Sequence, residues 1–210
     1  SGAVAGAEAV LATSFGTLGV DAAFSINDVV GNGMAINIGL QRSFGSLSGR
    51  AKSVSASAEY RSANFSNPGA LIVDNRFSWI GSVAYSQSIG ERQYVALSGT
   101  YLLGRGANAN EQSARLTYGL SVNPRTSVLV EGSYENRTQG QNGWGVRAGV
   151  VMRLGRRSSA SAEVDSRNER ARIGYQTSHG DGVGAWSASG DADFGYDDVN
   201  FNGSANYTAN

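Results

Sequence analysis

Residues 76–103 have the sequence RFSWIGSVAYSQSIGERQYVALSGTYLL, and this stretch decides the fold. Between Phe77 and Ile89, every second residue is mainly aromatic or aliphatic, and the residues in between are mostly small and hydroxylated. Because successive side chains of a β-strand point to opposite faces, this pattern predicts a strand with one apolar and one polar face. The alternation resumes from Gln93 to Leu103, after a polar turn at residues 90–92. The stretch is therefore predicted to form a hairpin of about ten residues per arm, the length that crosses a bilayer at a tilt.

The same alternation continues along most of the chain. It predicts about thirteen strands, at residues 3–15, 20–27, 34–41, 53–61, 77–89, 93–103, 114–122, 128–135, 144–154, 160–165, 172–176, 186–196 and 199–207. In the first of these, the phase of the alternation is ambiguous. No stretch has a convincing period of about 3.6 residues, so no helix is expected.

The composition excludes several classes of protein. Charged residues make up 16% of the chain and the net charge is zero, so the chain lacks the excess of positive charge that is typical of nucleic-acid binding. Cysteine is absent, so disulfides, thiolate metal sites and cysteine nucleophiles are excluded. The chain has no run of about 18 apolar residues, so no membrane-spanning helix is predicted. Strands of a membrane barrel need no such run, because only alternate residues contact lipid.

Three features favour a membrane barrel over a soluble β domain whose apolar faces pack together. The predicted strands exceed the usual five or six residues of globular strands. Charged residues occur in mid-strand on the polar face. Aromatic residues lie near strand ends, where a membrane interface places them; they are Phe77, Trp79, Tyr101, Tyr134, Trp144, Trp186, Tyr196 and Tyr207.

We therefore predict an all-β fold, an antiparallel transmembrane β-barrel with roughly 13–14 strands in this chain. Residues 1–210 are predicted to form a single barrel domain, or the C-terminal portion of one. Bacterial single-chain barrels have an even number of strands. Either the predicted strand count is therefore in error by one, or these strands are part of a larger barrel.

The connections between the strands are alternately short and long. Tight turns are predicted at residues 17–19, 90–92, 123–125 and 155–157, and longer polar loops at 29–33, 65–75, 105–111 and 138–143. In outer-membrane barrels the periplasmic turns are short and the extracellular loops are long, so this alternation predicts the two sides. The rule weakens at residues 42–52, which are long where a turn is due, and at 168–170, which are short where a loop is due.

The candidate functional surface is the polar face, which is predicted to line an aqueous pore. The predicted pore-lining residues are Ser82, Ser86, Ser98, Arg115, Glu131, Arg147, Arg153, Glu163 and Asp191. No catalytic, cofactor-binding or metal-binding residue is predicted. The only histidine, His179, lies in a glycine-rich stretch and is interpreted as an exposed loop residue, because a triad needs an oriented base. We predict that the chain is not an enzyme.

Three stretches resemble the fimbrial outer-membrane ushers, the translocation pores of the chaperone–usher pilus pathway. Residues 82–103, SVAYSQSIGERQYVALSGTYLL, resemble mid-barrel hairpins of ushers. Residues 53–69, SVSASAEYRSANFSNPG, are similar to the usher strand whose Tyr-Arg pair precedes a loop. Residues 144–157, WGVRAGVVMRLGRR, resemble the strand that ends in a Leu-Gly turn.

The resemblance implies a bacterial outer-membrane, protein-conducting pore that exports and assembles pilus subunits. The implied partners are the lipid bilayer, pilus subunits and their periplasmic chaperone, with no nucleic acid and no cofactor. The resemblance does not extend to the plug, the chaperone-binding domain or the C-terminal domains, so chaperone–subunit recognition is assigned to no residue. Two alternatives stay open: a small-solute porin, with residues 65–75 as an inward-folded loop, and a soluble or surface-displayed β protein acting as an adhesin or scaffold.

Overall fold

The computed structural model describes residues 2–45, 51–139 and 142–209. The described residues form an antiparallel β-sheet of thirteen strands, in which strand order follows chain order. The strands are β1 (Gly2–Thr13), β2 (Gly16–Asn27), β3 (Gly33–Phe44), β4 (Lys52–Arg61), β5 (Phe77–Ser88), β6 (Gln93–Gly104), β7 (Glu111–Asn123), β8 (Thr126–Asn136), β9 (Gly143–Arg153), β10 (Ser158–Asp165), β11 (Arg170–His179), β12 (Trp186–Phe194) and β13 (Val199–Tyr207). The prediction of an all-β antiparallel fold with about thirteen strands is confirmed. Among these residues there is no helix that could span a membrane.

The sheet contains two compact units, which are described separately. One comprises Ser1–Ser88, Ala96–Arg115 and Tyr134–Gly143, and it includes the whole of β1 to β5. The other comprises Ile89–Val95, Leu116–Ser133 and Trp144–Asn210, and it includes the whole of β10 to β13. The assignment of residues 1–210 to a single barrel domain stays a prediction.

The register of the strands keeps apolar residues beside apolar residues. Tyr60 of β4 lies opposite Trp79 of β5, and the ring centroids are 5.1 Å apart. On the other face of the same two strands, Ser57 lies opposite Ser82. The apolar face and the polar face that the sequence predicts are therefore both present in the sheet.

The register also resolves the phase of β1, which the sequence left ambiguous. Ala5 lies opposite Phe24, and Leu11 lies opposite Leu18, so the odd-numbered residues of β1 belong to the apolar face. Glu8 belongs to the polar face, where it lies opposite Asp21.

The first turn differs from its prediction. Residues 17–19 were expected to form a tight turn, but they lie within β2, and the turn is at residues 14–15. The Thr13 hydroxyl donates to the Gly16 carbonyl (2.8 Å) and accepts from the Phe15 amide (3.1 Å). Gly16 has φ of 133°, a conformation that favours glycine. The turn is thus fixed by a side-chain hydrogen bond and one glycine, not by the Leu-Gly pair that follows.

The other tight turns fall where the sequence places them, at residues 89–92, 124–125 and 154–157. The short connection at residues 166–169 has a physical cause, because the Asp165 carboxylate accepts hydrogen bonds from the Arg167 and Asn168 amides at 2.9 and 3.3 Å. Of the predicted long connection at 42–52, residues 42–44 belong to β3, and residues 46–50 lie outside the described residues.

The apolar face is not covered by protein. No hydrophobic residue among the described ones is buried. Trp79, Leu97 and Ile173, from three different strands, are 48%, 49% and 57% exposed. Apart from β4, every strand carries at least one large, exposed aliphatic or aromatic side chain at an apolar-face position. The sheet therefore holds its strands together by backbone pairing and presents its apolar face to the surroundings.

Candidate functional site on the polar face

Paired hydroxyl groups cross the polar face between neighbouring strands. The hydroxyls of Ser57 and Ser82 are 2.7 Å apart, and those of Ser53 and Ser86 are also 2.7 Å apart. Ser82 and Ser86 are therefore on the predicted face, and each has a partner that the sequence alone did not identify. Cross-strand hydroxyl pairs of this kind contribute about 0.2–1 kcal/mol each to the pairing of strands.

The same arrangement recurs in the unit that contains β10 to β13. On the polar face, the hydroxyls of Ser189 and Ser204 are 2.8 Å apart. The hydroxyls of Ser158 and Thr177 are 2.9 Å apart at apolar-face positions, in register with Ala160 and Tyr175. A hydroxyl that bonds to its neighbour has fewer hydrogen-bonding sites left for a passing solute. At these positions of the polar face, part of the hydrogen-bonding capacity of the hydroxyls is therefore already used within the sheet.

Charges on the polar face follow a strict order from β8 to β12. At the polar-face positions, each of these strands carries two charges of one sign, and the sign changes from strand to strand. The residues are Glu131 and Glu135 on β8, Arg147 and Arg153 on β9, Glu163 and Asp165 on β10, Arg170 and Arg172 on β11, and Asp191 and Asp193 on β12. We refer to this set as the charge ladder.

Ion pairs connect neighbouring strands of the charge ladder. Arg147 contacts Asp165 at 3.2 Å and Glu163 at 3.6 Å. Two predicted pore-lining residues, Arg147 and Glu163, are therefore brought together. Both side chains are about half exposed, at 44% and 50%, so solvent screens the pair and its contribution to stability is small.

The least exposed member of the ladder is Asp193, which the sequence reasoning missed. Its side chain is 8% exposed and lies between Arg172 (2.9 Å) and Arg170 (3.5 Å). The nearby Asp191, which was predicted, accepts a hydrogen bond from Asn202 of β13 at 3.3 Å. Asp193 could have been found from the sequence, because it follows Asp191 by two positions and so shares its face.

Three further predicted residues lie elsewhere on the polar face. Ser98 is exposed in β6, and Arg115 is exposed in β7. Arg153 is the last residue of β9, six positions beyond Arg147, which corresponds to roughly 20 Å along the strand. The predicted set therefore marks a face of the sheet and not a compact site.

An acidic row crosses the polar face of β1 to β4. In the register, Glu8 lies opposite Asp21, Asp21 opposite Asn37, and Asn37 opposite Glu59. Asn37 donates to the Asp21 carboxylate at 3.0 Å. No local sequence pattern indicates this row, because it depends on the register of four strands. Within the described residues, no group of three or more acidic or histidine side chains could hold a metal ion.

The connection between β4 and β5, residues 62–76, covers part of the polar face; we call it the 62–76 loop. Beneath it, Ser25 and Asn27 of β2 are 0% and 4% exposed, and Ser66 of the loop is 6% exposed. The Ser66 amide donates to the Ser25 hydroxyl at 3.2 Å, and the Asn27 amide group donates to the Ala70 carbonyl at 2.9 Å. The loop therefore folds onto the face that the sequence assigns to the pore.

A glycine on β7 accommodates an aromatic ring from β6. An added Cβ at Gly119 would lie 2.0 Å from the ring of Tyr94. Gly119 is buried by this ring although it lies at a polar-face position. The pair was not predicted, because the sequence does not show which residues of β6 and β7 are neighbours.

His179 differs from its interpretation as a loop residue. It is exposed, but it is the last residue of β11 and lies opposite Trp186 of β12. The two rings are stacked with their centroids 6.1 Å apart. The glycine-rich stretch that suggested a loop begins one residue later, at Gly180.

Comparison of the chain with models of known protein families, with curated proteins and with solved structures found no match. The three stretches that resemble usher sequences lie on β4 with the 62–76 loop, on the β5–β6 hairpin, and on β9 with the turn that follows it. The resemblance to ushers therefore rests on these sequence stretches.

Proposed function

We propose that this sheet is part of a transmembrane β-barrel that forms a pore in the outer membrane of a bacterium. The observation that carries the proposal is the uncovered apolar face, which is present on twelve of the thirteen strands while no hydrophobic residue among the described ones is buried. Since bacterial single-chain barrels have an even number of strands, we propose that the thirteen strands belong to a larger barrel.

The size of the uncovered face supports a lipid environment. Covering a side chain of Val, Leu, Ile or Phe that is half exposed is worth roughly 1 kcal/mol. Summed over the strands, the free energy lost by leaving these side chains exposed to water exceeds the net stability of about 5–15 kcal/mol that a folded protein has. A strand of about eleven residues, tilted by about 45°, rises roughly 26 Å. This approaches the roughly 30 Å thickness of a bilayer core, and β1 to β9 have 10–13 residues.

The polar face would then line the passage. Its hydroxyl pairs and its charge ladder keep it wet, and the ladder carries both signs, with six carboxylates and four arginines. An ion-selective filter concentrates one sign, so the ladder fits a conduit for large cargo better. No energy source is assigned to the chain, and movement through the pore would be passive.

The cargo that we propose is the pilus subunit, delivered by its periplasmic chaperone, as in ushers. The support is the resemblance of residues 53–69, 82–103 and 144–157 to usher strands. The hydroxyl-paired polar face, which carries charges of both signs, is suited to folded subunits, because it offers little apolar surface to which they could adhere.

Reconstitution tests the membrane proposal. The complete barrel that contains these strands is refolded in detergent and added to planar bilayers, alone and with excess lipid vesicles as competitor. We expect stepwise, stable conductance and co-flotation of the chain with vesicles. A refolded chain that stays monodisperse in buffer without detergent and gives no conductance would support the adhesin or scaffold alternative instead.

The small-solute porin is a second candidate, and the 62–76 loop favours it. Porins narrow their passage with a loop folded inward, and this loop covers Ser25 and Asn27 on the polar face. Partition of neutral polymers of increasing size into the reconstituted pore separates the two candidates. A cut-off below the size of a folded domain supports the porin, and passage of folded domains supports the usher-like conduit.

A further inference from the structure

We propose that the 62–76 loop is the selectivity element of this pore: it occupies part of the passage, and Asn27 and Asn75 hold it against the polar face. This inference rests on the proposed function, since it assigns the polar face to a passage. It goes beyond that function by naming the element that limits which solutes pass.

The path of the loop places it across several strands. The loop leaves β4 at Arg61 and passes over β3. A Cβ added to Gly33 of β3 would lie 2.2 Å from the Phe65 amide nitrogen. Farther along, Pro68 and Gly69 approach Gly2 of β1, whose added Cβ would lie 3.5 Å from the Pro68 Cα. The loop thus reaches from β4 to β1, a width of roughly 14 Å at the usual spacing between strands.

Glycine at position 33 makes this path possible. Any larger residue there would collide with the loop backbone, because the nearest atoms belong to the backbone of residues 64 and 65. Because these atoms are backbone atoms, no side-chain rotation could relieve the collision. The sheet is therefore shaped to receive the loop on its polar face.

Asn75 fixes the two ends of the loop to each other. Its side-chain nitrogen is directed at the carbonyls of Ser62, Ala63 and Phe65, at 3.0, 3.1 and 2.7 Å. The Asn75 carbonyl in turn accepts a hydrogen bond from the Arg105 side chain at 3.2 Å. One amide side chain thus holds the first turn of the loop beside its last residues.

Asn27 fixes the middle of the loop to the sheet. Its side-chain nitrogen donates to the Ala70 carbonyl at 2.9 Å, and its side-chain oxygen accepts from the Val29 and Val30 amides at 2.8 and 3.2 Å. Asn27 is 4% exposed, and Ala70 is half-buried, so losing this contact leaves the Ala70 carbonyl without its side-chain partner. This loss disfavours the position of the loop against the polar face.

The position of the loop leaves two aliphatic side chains uncovered. Leu71 and Ile72 are 74% and 85% exposed, directly after the Ala70 anchor. Exposed aliphatic residues on a loop that lies against a polar wall make that part of the passage narrower and less polar. The loop would therefore discriminate by size and by polarity.

The first test releases the loop. Single-channel conductance and the cut-off for neutral polymers are measured for the complete barrel that contains these strands, with the wild-type sequence, with Asn27→Ala/Asn75→Ala, and with Asn67→Ala as a matched control. The Asn67 side chain makes no hydrogen bond among the described residues, so that variant should match the wild type. We expect the double variant to conduct more and to admit polymers that the wild type excludes.

A rescue arm distinguishes loop movement from general loosening of the sheet. The chain has no cysteine, so Ser25→Cys and Ser66→Cys, added to the double variant, create one reversible link between the loop and β2. Oxidation should restore the wild-type conductance and cut-off, and reduction should abolish the restoration. An unchanged double variant, or a rise in conductance that oxidation does not reverse, overturns the proposal.

A second measurement does not depend on weakening the fold. Leu71→Cys is modified with a bulky thiol reagent in the open channel, and Gln139→Cys, in another exposed loop, serves as control. We expect conductance to fall for modified Leu71→Cys and to stay unchanged for the control. No fall at Leu71 would show that the loop lies outside the passage. A wild-type chain that forms no channel would overturn the proposed function and this inference together.

Discussion

At the scale of single residues, the two faces of β6 should respond differently to the same substitution. Leu97 is 49% exposed on the apolar face, and Ser98 is its exposed neighbour on the polar face. In a membrane, Leu97→Arg places a charge in lipid near mid-strand and should lower the free energy of unfolding by about 2–4 kcal/mol. Ser98→Arg places the charge in water and should cost much less.

The difference is measured by reversible unfolding in vesicles with denaturant. Both variants introduce the same side chain into the same strand, so the strand propensity of the arginine itself is common to both. Equal costs at the two positions would contradict the assignment of one face to lipid.

At the scale of secondary-structure elements, β6 and β7 are coupled through Tyr94 and Gly119. Gly119→Val should lower the free energy of unfolding by about 1–3 kcal/mol, because the new side chain must displace the Tyr94 ring. In a Tyr94→Ala background, the same substitution meets no ring and should cost less. The two changes are then non-additive by about 0.5–3 kcal/mol, as expected for residues in contact.

Gly39→Val is the matched control for this cycle. An added Cβ at Gly39 of β3 would meet no atom within 4 Å, so the substitution should be neutral or slightly stabilising, since valine favours strands. Additive effects of the Tyr94 and Gly119 substitutions would show that the ring does not rest on the glycine in the membrane.

The strands themselves could be predicted because a period of two residues is a local property. The pattern from Phe77 to Leu103 shows it directly, and all thirteen predicted strands are present. The exact turns were less predictable: residues 17–19 suggested a turn, but the hydrogen bonds of Thr13 place it at residues 14–15. Strand existence follows from the side-chain pattern, while a turn is decided by one or two specific contacts.

The contacts across the polar face could not be predicted, because each depends on register or on a long-range fold. The sequence shows serines at positions 57 and 82, but only the register brings them together. Similarly, nothing local indicates that residues 62–76 return over β3 and β2 to bury Ser25. The side-chain pattern is therefore enough to identify the polar face, while the residues that contact one another across it are known only from the structure.

At the scale of the whole molecule, the three tryptophans report on membrane insertion. Trp79, Trp144 and Trp186 lie at the first to third positions of β5, β9 and β12, at apolar-face positions, and are 48%, 81% and 42% exposed. In a membrane they should lie at the interface, where tryptophan is enriched. Brominated lipids should therefore quench their fluorescence more strongly with bromine near the headgroups than at the ends of the acyl chains.

Single-tryptophan variants, with the other two changed to Phe, assign the quenching to each position. A soluble quencher that reaches all three as easily as free tryptophan, together with no effect of brominated lipid, would contradict insertion of the apolar face.

The charge ladder has a consequence for how the strands find one another. A register shift of two residues between neighbouring strands would keep opposite charges adjacent, so the ladder does little to determine the register. A strand that skipped its neighbour would meet its own sign instead: β9 would lie beside β11, both carrying arginines, and β10 beside β12, both carrying carboxylates. Like charges directly opposite one another disfavour pairing. The alternation of charge therefore favours pairing of each of these strands with its own neighbour, in the part of the chain that includes the short strands β10, β12 and β13.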